Sequence, residues 1–157
     1  MTSTRPTGGT PAAPAVTVSQ DDAAAVLSVM RSLSGAWAGH DAETMAKLYT
    51  DDATLILPGV TYLKGRAAIS DYMDAAFAGK WKGTRVAGVP LELRYAADDV
   101  IVLVSQGGAY RPGSAEVTAE DAIRGMWLFT RRDGQWAISG YVNTPLGAAV
   151  PLPDTAG

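Results

Sequence analysis

Few side chains in this chain can do acid–base chemistry. Among 157 residues there are 16 Asp and Glu, one histidine and no cysteine. Without thiols, disulfide frameworks, thiolate metal sites and cysteine nucleophiles are excluded. His40 is the single histidine, so no multi-histidine site can form and no metal is expected. It falls in Gly39-His40-Asp41, where a loop or helix cap is expected. Asp51, Asp52, Asp98, Asp99 and Asp133 read as turn residues, and Asp21, Asp22 and Asp41 as residues of helix N-termini. Glu116, Glu120 and Asp121 precede a strand, and Asp121 is the candidate for a hidden general base. No serine sits in a G-x-S-x-G turn. Gly107, Gly108 and Gly113 do not make the dinucleotide fingerprint, so no cofactor is expected.

The elements that must position these groups follow from spacing. Ser19 can cap a first helix, with Asp22 completing a capping box, and Val26, Met30, Leu33 and Trp37 form its apolar face. Gly39 ends it. A short second helix is expected from Ala42 to Tyr49, then a strand from Ala53 to Leu57 and its return from Val60 to Leu63. A third helix is expected from Arg66 to Phe77. The rest reads as strand: Arg85 to Tyr95, starting near Leu91 because of Pro90, then Val100 to Tyr110, Ala122 to Arg131 and Gln135 to Asn143. Asp133-Gly134 is the strongest hairpin signal. Helices followed by a meander indicate an α+β fold, with helices packed on one face of a sheet and a pocket between the layers.

Residues 1–18, rich in Thr, Pro, Gly and Ala, read as a flexible arm, and residues 147–157 as a flexible tail around one domain spanning 19–146. Net charge is −3, which argues against a nucleic-acid footprint; Arg131-Arg132 reads as a solvated hairpin end. No apolar run approaches the ~20 residues of a membrane span, and no secretory leader is recognised, so a cytoplasmic protein is expected.

The segment AWAGHDAETMAKLYTDDATLILPGVTY, with KGRAAISDYM and WLFTRRDGQWAISGYVNTP, resembles the SnoaL-like proteins of the nuclear transport factor 2-like superfamily. Within it the chain is most similar to the SgcJ/EcaC subfamily, whose members include proteins encoded with enediyne polyketide pathways. The resemblance implies a cone-shaped, curved antiparallel sheet wrapped around three N-terminal helices, an apolar cavity, and a homodimer through the outer sheet face. It does not imply one activity, because this fold hosts isomerases, cyclases, dehydratases, hydrolases and binding modules.

The ketosteroid isomerases of this superfamily need a carboxylate base, a tyrosine and a neutral carboxylic acid. The positions matching these groups hold Leu57, Ser32 and Gly125, so that mechanism is not expected. If position 125 faces the pocket, alternation turns Trp127 and Phe129 inward, along with Ser139, Tyr141 and Asn143 on the last strand. Asn143 can hydrogen-bond a carbonyl but is a poor proton acceptor. Tyr72 matches an aromatic pocket position, Tyr62 is placed at the mouth, and Trp37 is either a core knob or a pocket residue. The expected ligand-binding set is therefore Trp37, Leu57, Tyr62, Tyr72, Trp127, Tyr141 and Asn143.

The leading expectation is a cofactor-independent small-molecule pocket protein of secondary metabolism, assisting or acting on an apolar polyketide intermediate, enediyne or polyene. Two alternatives stay open: a non-catalytic module docking on a polyketide synthase through the face of Met126 and Leu128, and an isomerase, cyclase or hydrolase of the SnoaL-like type.

Overall fold

Ser19 starts the first helix as its type predicts. In the computed structural model, which describes residues 15–154, its hydroxyl accepts from the backbone N–H of Asp22 at the head of α1 (Gln20–Ala38). The Asp22 carboxylate does not turn back to complete a capping box. It accepts from the Tyr95 hydroxyl, from Arg131 at 3.1 Å and from the Trp136 indole at 3.2 Å. Arg131 also pairs with Asp99 at 2.8 Å and lies over the Trp136 ring at 4.7 Å. It is thus a clamp between α1 and two strand turns rather than a solvated hairpin end. The hydrogen bond from Tyr95, aided by Trp136 and Arg131, holds the Asp22 carboxyl below its usual range.

His40, just after α1, adopts a left-handed φ of 51° and so takes the capping role open to it. Its Nε2 accepts from the Gly83 N–H at 3.0 Å, and its ring meets Phe77 edge-on. Asp41 caps α2 (Ala42–Ala46), accepting from the Thr44 N–H. This helix stops short of Tyr49, which instead opens β2 (Tyr49–Ile56) and pairs with Ile138. Asp51 and Asp52 therefore lie within a strand, not a turn. Ladder pairing with the last long strand outweighs the local helical spacing of Met45, Leu48 and Tyr49.

After β3 (Tyr62–Lys64), α3 (Gly65–Ala78) follows. Next come β4 (Arg85–Ala97), β5 (Val100–Tyr110), β6 (Glu116–Val117), β7 (Ala122–Arg132), β8 (Gln135–Pro145) and β9 (Val150–Pro151). β4 begins six residues before Leu91, with Pro90 inside it at a register shift. A strand tolerates proline at such an irregularity, where no ladder N–H is demanded.

The main sheet has seven strands in the order β1-β4-β5-β7-β8-β2-β3, with β1 spanning Ala15–Thr17. Its centre is antiparallel; β1 runs parallel to β4 and β2 parallel to β8, so the sheet is mixed. Asp133 and Gly134, with φ of 53° and 75°, form the two-residue turn between β7 and β8. The three helices cover one face, and Val26, Leu33, Trp37, Met45, Ile69, Met73 and Phe77 bury against Leu93, Ile101, Leu103, Phe129 and Ile138. A Cβ at Gly107 would come within 2.0 Å of the Ala87 carbonyl, so only glycine permits this approach of β4 to β5.

Two elements lie within segments expected to be flexible. β1 belongs to the arm at 1–18, and β9 to the tail at 147–157, where it pairs with β6 in a separate two-stranded sheet. Val150 there buries against Tyr110, Val117 and Ala122. Residues 1–14 and 155–157 lie outside the described residues.

Because Asp22 carries fewer protons folded than unfolded near its ordinary pKa of about 3.9, its stabilisation is complete above that value and vanishes as pH falls through the lower folded one. Asp22→Asn should therefore lower Tm at pH 7, with the gap to wild type closing on acidification. A gap constant from neutral to strongly acid pH in calorimetry would contradict this role.

Candidate functional site

The inner face of the β7–β8 hairpin carries the groups that the sequence singles out most consistently. Gly125, Trp127 and Phe129 are buried, while Met126 and Leu128 are exposed on the other face, as strand alternation requires. On β8 the alternation breaks once. The ladder shifts between Leu128 and Phe129, so Phe129 pairs with Ile138 whereas Leu128 pairs with Gly140. Ser139 is the extra residue. Its hydroxyl donates to the Leu128 carbonyl at 3.2 Å, and the fully buried Ile138 takes the inward place expected for Ser139. Beyond the bulge, Tyr141 and Asn143 pair with Trp127 and Gly125 and share their face.

These side chains form one wall. The Trp127 and Tyr141 rings stack with centroids 3.8 Å apart, and the Trp127 indole donates to Ser105 at 2.9 Å. The Tyr141 ring lies over Gly125, where an added Cβ would stand 2.8 Å from its Cε2. A carboxylic acid at position 125 would therefore collide with Tyr141. Leu57 is buried, one residue beyond the β2 end that pairs with β8, and Leu55 pairs with Tyr141 directly. Asn143 donates to the Tyr141 hydroxyl at 2.9 Å, while its own carbonyl oxygen is buried with no partner among the described residues.

The wall is held neutral. Burial pushes the Tyr141 hydroxyl up to about 12, with the Asn143 hydrogen bond opposing the shift in part. Burial likewise raises Tyr49, which packs in the same core. Both phenols keep their protons at neutral pH. Tyr141 can donate while Asn143 can accept, and neither is a base at that pH.

The remaining expected site residues lie elsewhere. Trp37 is buried in the core, packs edge-on to Phe77 at 5.3 Å, and donates its indole N–H to Thr84. Tyr72 meets Trp81 edge-on and accepts from Lys80 at 2.8 Å. These two gather around Trp81, not on the Trp127–Tyr141 wall. Tyr62 is 63% exposed and pairs with the exposed Ile56, which places it on the outer face of the sheet rather than at an inner mouth.

Asp121 does not reach the inner wall either. β7 begins at Ala122, so alternation counted back from Gly125 does not extend to it. Asp121 closes a turn with Thr118, whose hydroxyl donates to it, and lines a cleft of about 190 Å³ with Lys80, Trp81 and Arg111. Ser32, matched to the isomerase tyrosine, is exposed on α1. Sequence reasoning missed Ser105 and Tyr49 in this region; the pairing of Ser105 with Gly125 across β5 and β7 is the signal that a strand alignment could have supplied. Among the described residues no three His, Asp or Glu side chains converge as metal ligands would, and no helix is long and apolar enough to cross a membrane.

The model of the SnoaL-like domain family matches residues 29–138. The chain belongs to the SnoaL-like family. Solved structures place this SnoaL-like domain in the nuclear transport factor 2-like, cystatin-like fold. A domain of unknown function with a cystatin-like fold from Nostoc punctiforme superposes with a TM-score of 0.74 at 26% identity, covering 82% of this chain and 79% of that one. A nuclear transport factor 2-like protein from Novosphingobium aromaticivorans gives 0.67 at 19% identity, covering 87% and 85%. A hexachlorocyclohexane dehydrochlorinase from Novosphingobium barchaimii gives 0.66 at 18% identity, covering 87% and 94%. No curated protein matches the chain by sequence.

The wall predicts a measurable coupling. Tyr141→Phe leaves the Asn143 amide without its acceptor, and Asn143→Leu leaves the Tyr141 hydroxyl without its donor. Each should cost about 1–3 kcal/mol in urea denaturation. The double variant, which removes both partners and the orphaned carbonyl, should be more stable than the sum of the two by about 1 kcal/mol or more. Strict additivity would show that the two side chains do not act as a pair.

Proposed function

We propose that this SnoaL-like domain is a small-molecule-binding protein of secondary metabolism, holding an extended apolar polyketide-type intermediate, enediyne or polyene, against its inner wall without a cofactor. The observation behind this reading is the Tyr141–Asn143 pair. One protonated hydroxyl and one unpartnered buried carbonyl oxygen stand beside the stacked Trp127 and Tyr141 rings and the apolar Leu55 and Leu57. Such a pair recognises a carbonyl and a hydroxyl on an otherwise apolar ligand, and the aromatic surface suits a flat conjugated chain. Binding and shaping the ligand needs nothing further, whereas proton abstraction at neutral pH would need a base that this wall lacks. The polyketide class rests on the similarity to the SgcJ/EcaC subfamily.

A second observation favours a protein partner at the opposite face. Val104, Met126, Val142, Ile56 and Tyr62 are matched in register across five strands, and Met126, Val142, Ile56 and Tyr62 are each at least 41% exposed. An apolar row of this kind fits a second copy of the chain, giving a homodimer, with a polyketide synthase subunit as the alternative occupant.

Purification from a polyene-producing host followed by native mass spectrometry tests the ligand reading. The wild-type protein should retain a polyene, and Tyr141→Phe should weaken its binding by about tenfold, the value of one buried hydrogen bond. Tyr141→Phe is preferable to a change at Trp127, which is a core residue. Equal retention by wild type, Tyr141→Phe and Asn143→Leu, or no retained ligand at all, would overturn the proposal.

A further inference from the structure

The cleft of about 190 Å³ between the turn after α3 and the 111–121 loop holds four charged side chains that the inner wall does not use. Lys80 comes from the turn after α3 and Arg111, Glu116 and Asp121 from the loop, and Trp81 and Tyr110 also line the cleft. Opposite charges around so small a depression would ordinarily pair. The ion pairs among the described residues instead involve Lys47, Arg94, Arg131 and Arg132, and none of these four.

Each of three heads is held by a neutral partner. Lys80 donates to the Tyr72 hydroxyl at 2.8 Å and lies over the Trp81 ring at 4.3 Å. Arg111 donates to the Lys82 carbonyl at 3.0 Å, joining the two sides of the cleft. Asp121 accepts from Thr118 at 3.2 Å. The backbones beneath are fixed as well. Thr84 and His40 bind the turn that bears Trp81, and β9 pairs with β6 at Glu116. The charges are therefore aimed by the fold before any ligand arrives, which lowers the ordering cost of binding.

We infer that this cleft binds a small zwitterion: a molecule the size of a single amino acid, with a carboxylate for Lys80 and Arg111, an ammonium for Glu116 and Asp121, and an apolar body beside Trp81. A simple anion would meet two uncompensated carboxylates, and a simple cation two uncompensated cations, so only a ligand with both signs matches the whole lining. The space, about 190 Å³, limits the ligand to one small molecule. This site is independent of the polyketide reading.

Amide and indole NMR titration of the full chain tests it with three probes: L-tryptophan, which carries both charges; tryptamine, which lacks the carboxylate; and indole-3-propionate, which lacks the ammonium. L-Tryptophan should cause saturable shifts at residues 80–84 and 111–121 and at the Trp81 indole. The two singly charged probes should bind about tenfold more weakly, the size of one charge-assisted hydrogen bond. Lys80→Met and Asp121→Asn should each weaken L-tryptophan by a similar factor at unchanged Tm, because both residues are exposed. Tyr141→Phe should leave it unaffected. The inference is overturned if L-tryptophan gives no saturable shift up to about 10 mM, if a singly charged probe binds equally well, if the shifts map to the inner wall, or if both charge variants retain full affinity.

Discussion

Between Leu128 and Phe129 the β7–β8 ladder shifts by one residue at Ser139, and that shift decides what the inner face can be. Before it, Ile138 points inward and closes the core against Phe129 and Tyr49. After it, Tyr141 and Asn143 point inward and bring hydrogen-bonding groups to the same face. A regular strand has period two, so even and odd residues cannot both face in without an extra residue between them. The bulge thus lets one strand serve the packed core at one end and a polar wall at the other. Tyr141 depends on it, and so does the glycine at 125 that its ring covers.

The chemistry of the wall follows from burial. Removing the Tyr141 hydroxyl from water penalises its ionised form and leaves a proton donor, held by Asn143. The space in which a catalytic acid would stand at position 125 is taken by the tyrosine ring. A fold shared with a dehydrochlorinase does not transfer that reaction, because one fold hosts many activities and neither Tyr141 nor Asn143 is a base at neutral pH. The charged groups of the molecule lie outside it. Asp22 and Arg131 tie α1 to the β4–β5 and β7–β8 ends, and Lys80, Arg111, Glu116 and Asp121 surround a separate cleft.

Local signals made much of this legible. The Ser19 and Asp41 caps and the Asp133-Gly134 turn depend on neighbouring residues alone, and the structure shows each of them; the buried set Gly125, Trp127 and Phe129 followed by alternation once the resemblance set the face of position 125. What was not legible depends on pairing across long sequence distances. Tyr49 satisfies a helical spacing yet joins a strand because β8 offers it a partner. Ser139 alternates correctly on paper, and nothing in its type marks a bulge. Arg131 has the composition of a turn tip, and only the fold brings it to Asp22, more than a hundred residues earlier. Asp121 was counted inward by extending the alternation of β7 past its first residue, Ala122. Tyr141 and Asn143 were found because they share a face with Gly125, but their pairing and the orphaned Asn143 carbonyl required coordinates.

The inner wall is neutral, and its Tyr141 hydroxyl keeps its proton at neutral pH. Tyrosine Cζ NMR across alkaline pH tests it most directly, with the Tyr141 resonance assigned by its loss in Tyr141→Phe. Tyr141 should stay protonated through the ordinary tyrosine range near 10 and ionise only at about 12. Ionisation of Tyr141 at or below its ordinary value would contradict it, and would mark this hydroxyl as an acid–base group rather than a fixed donor.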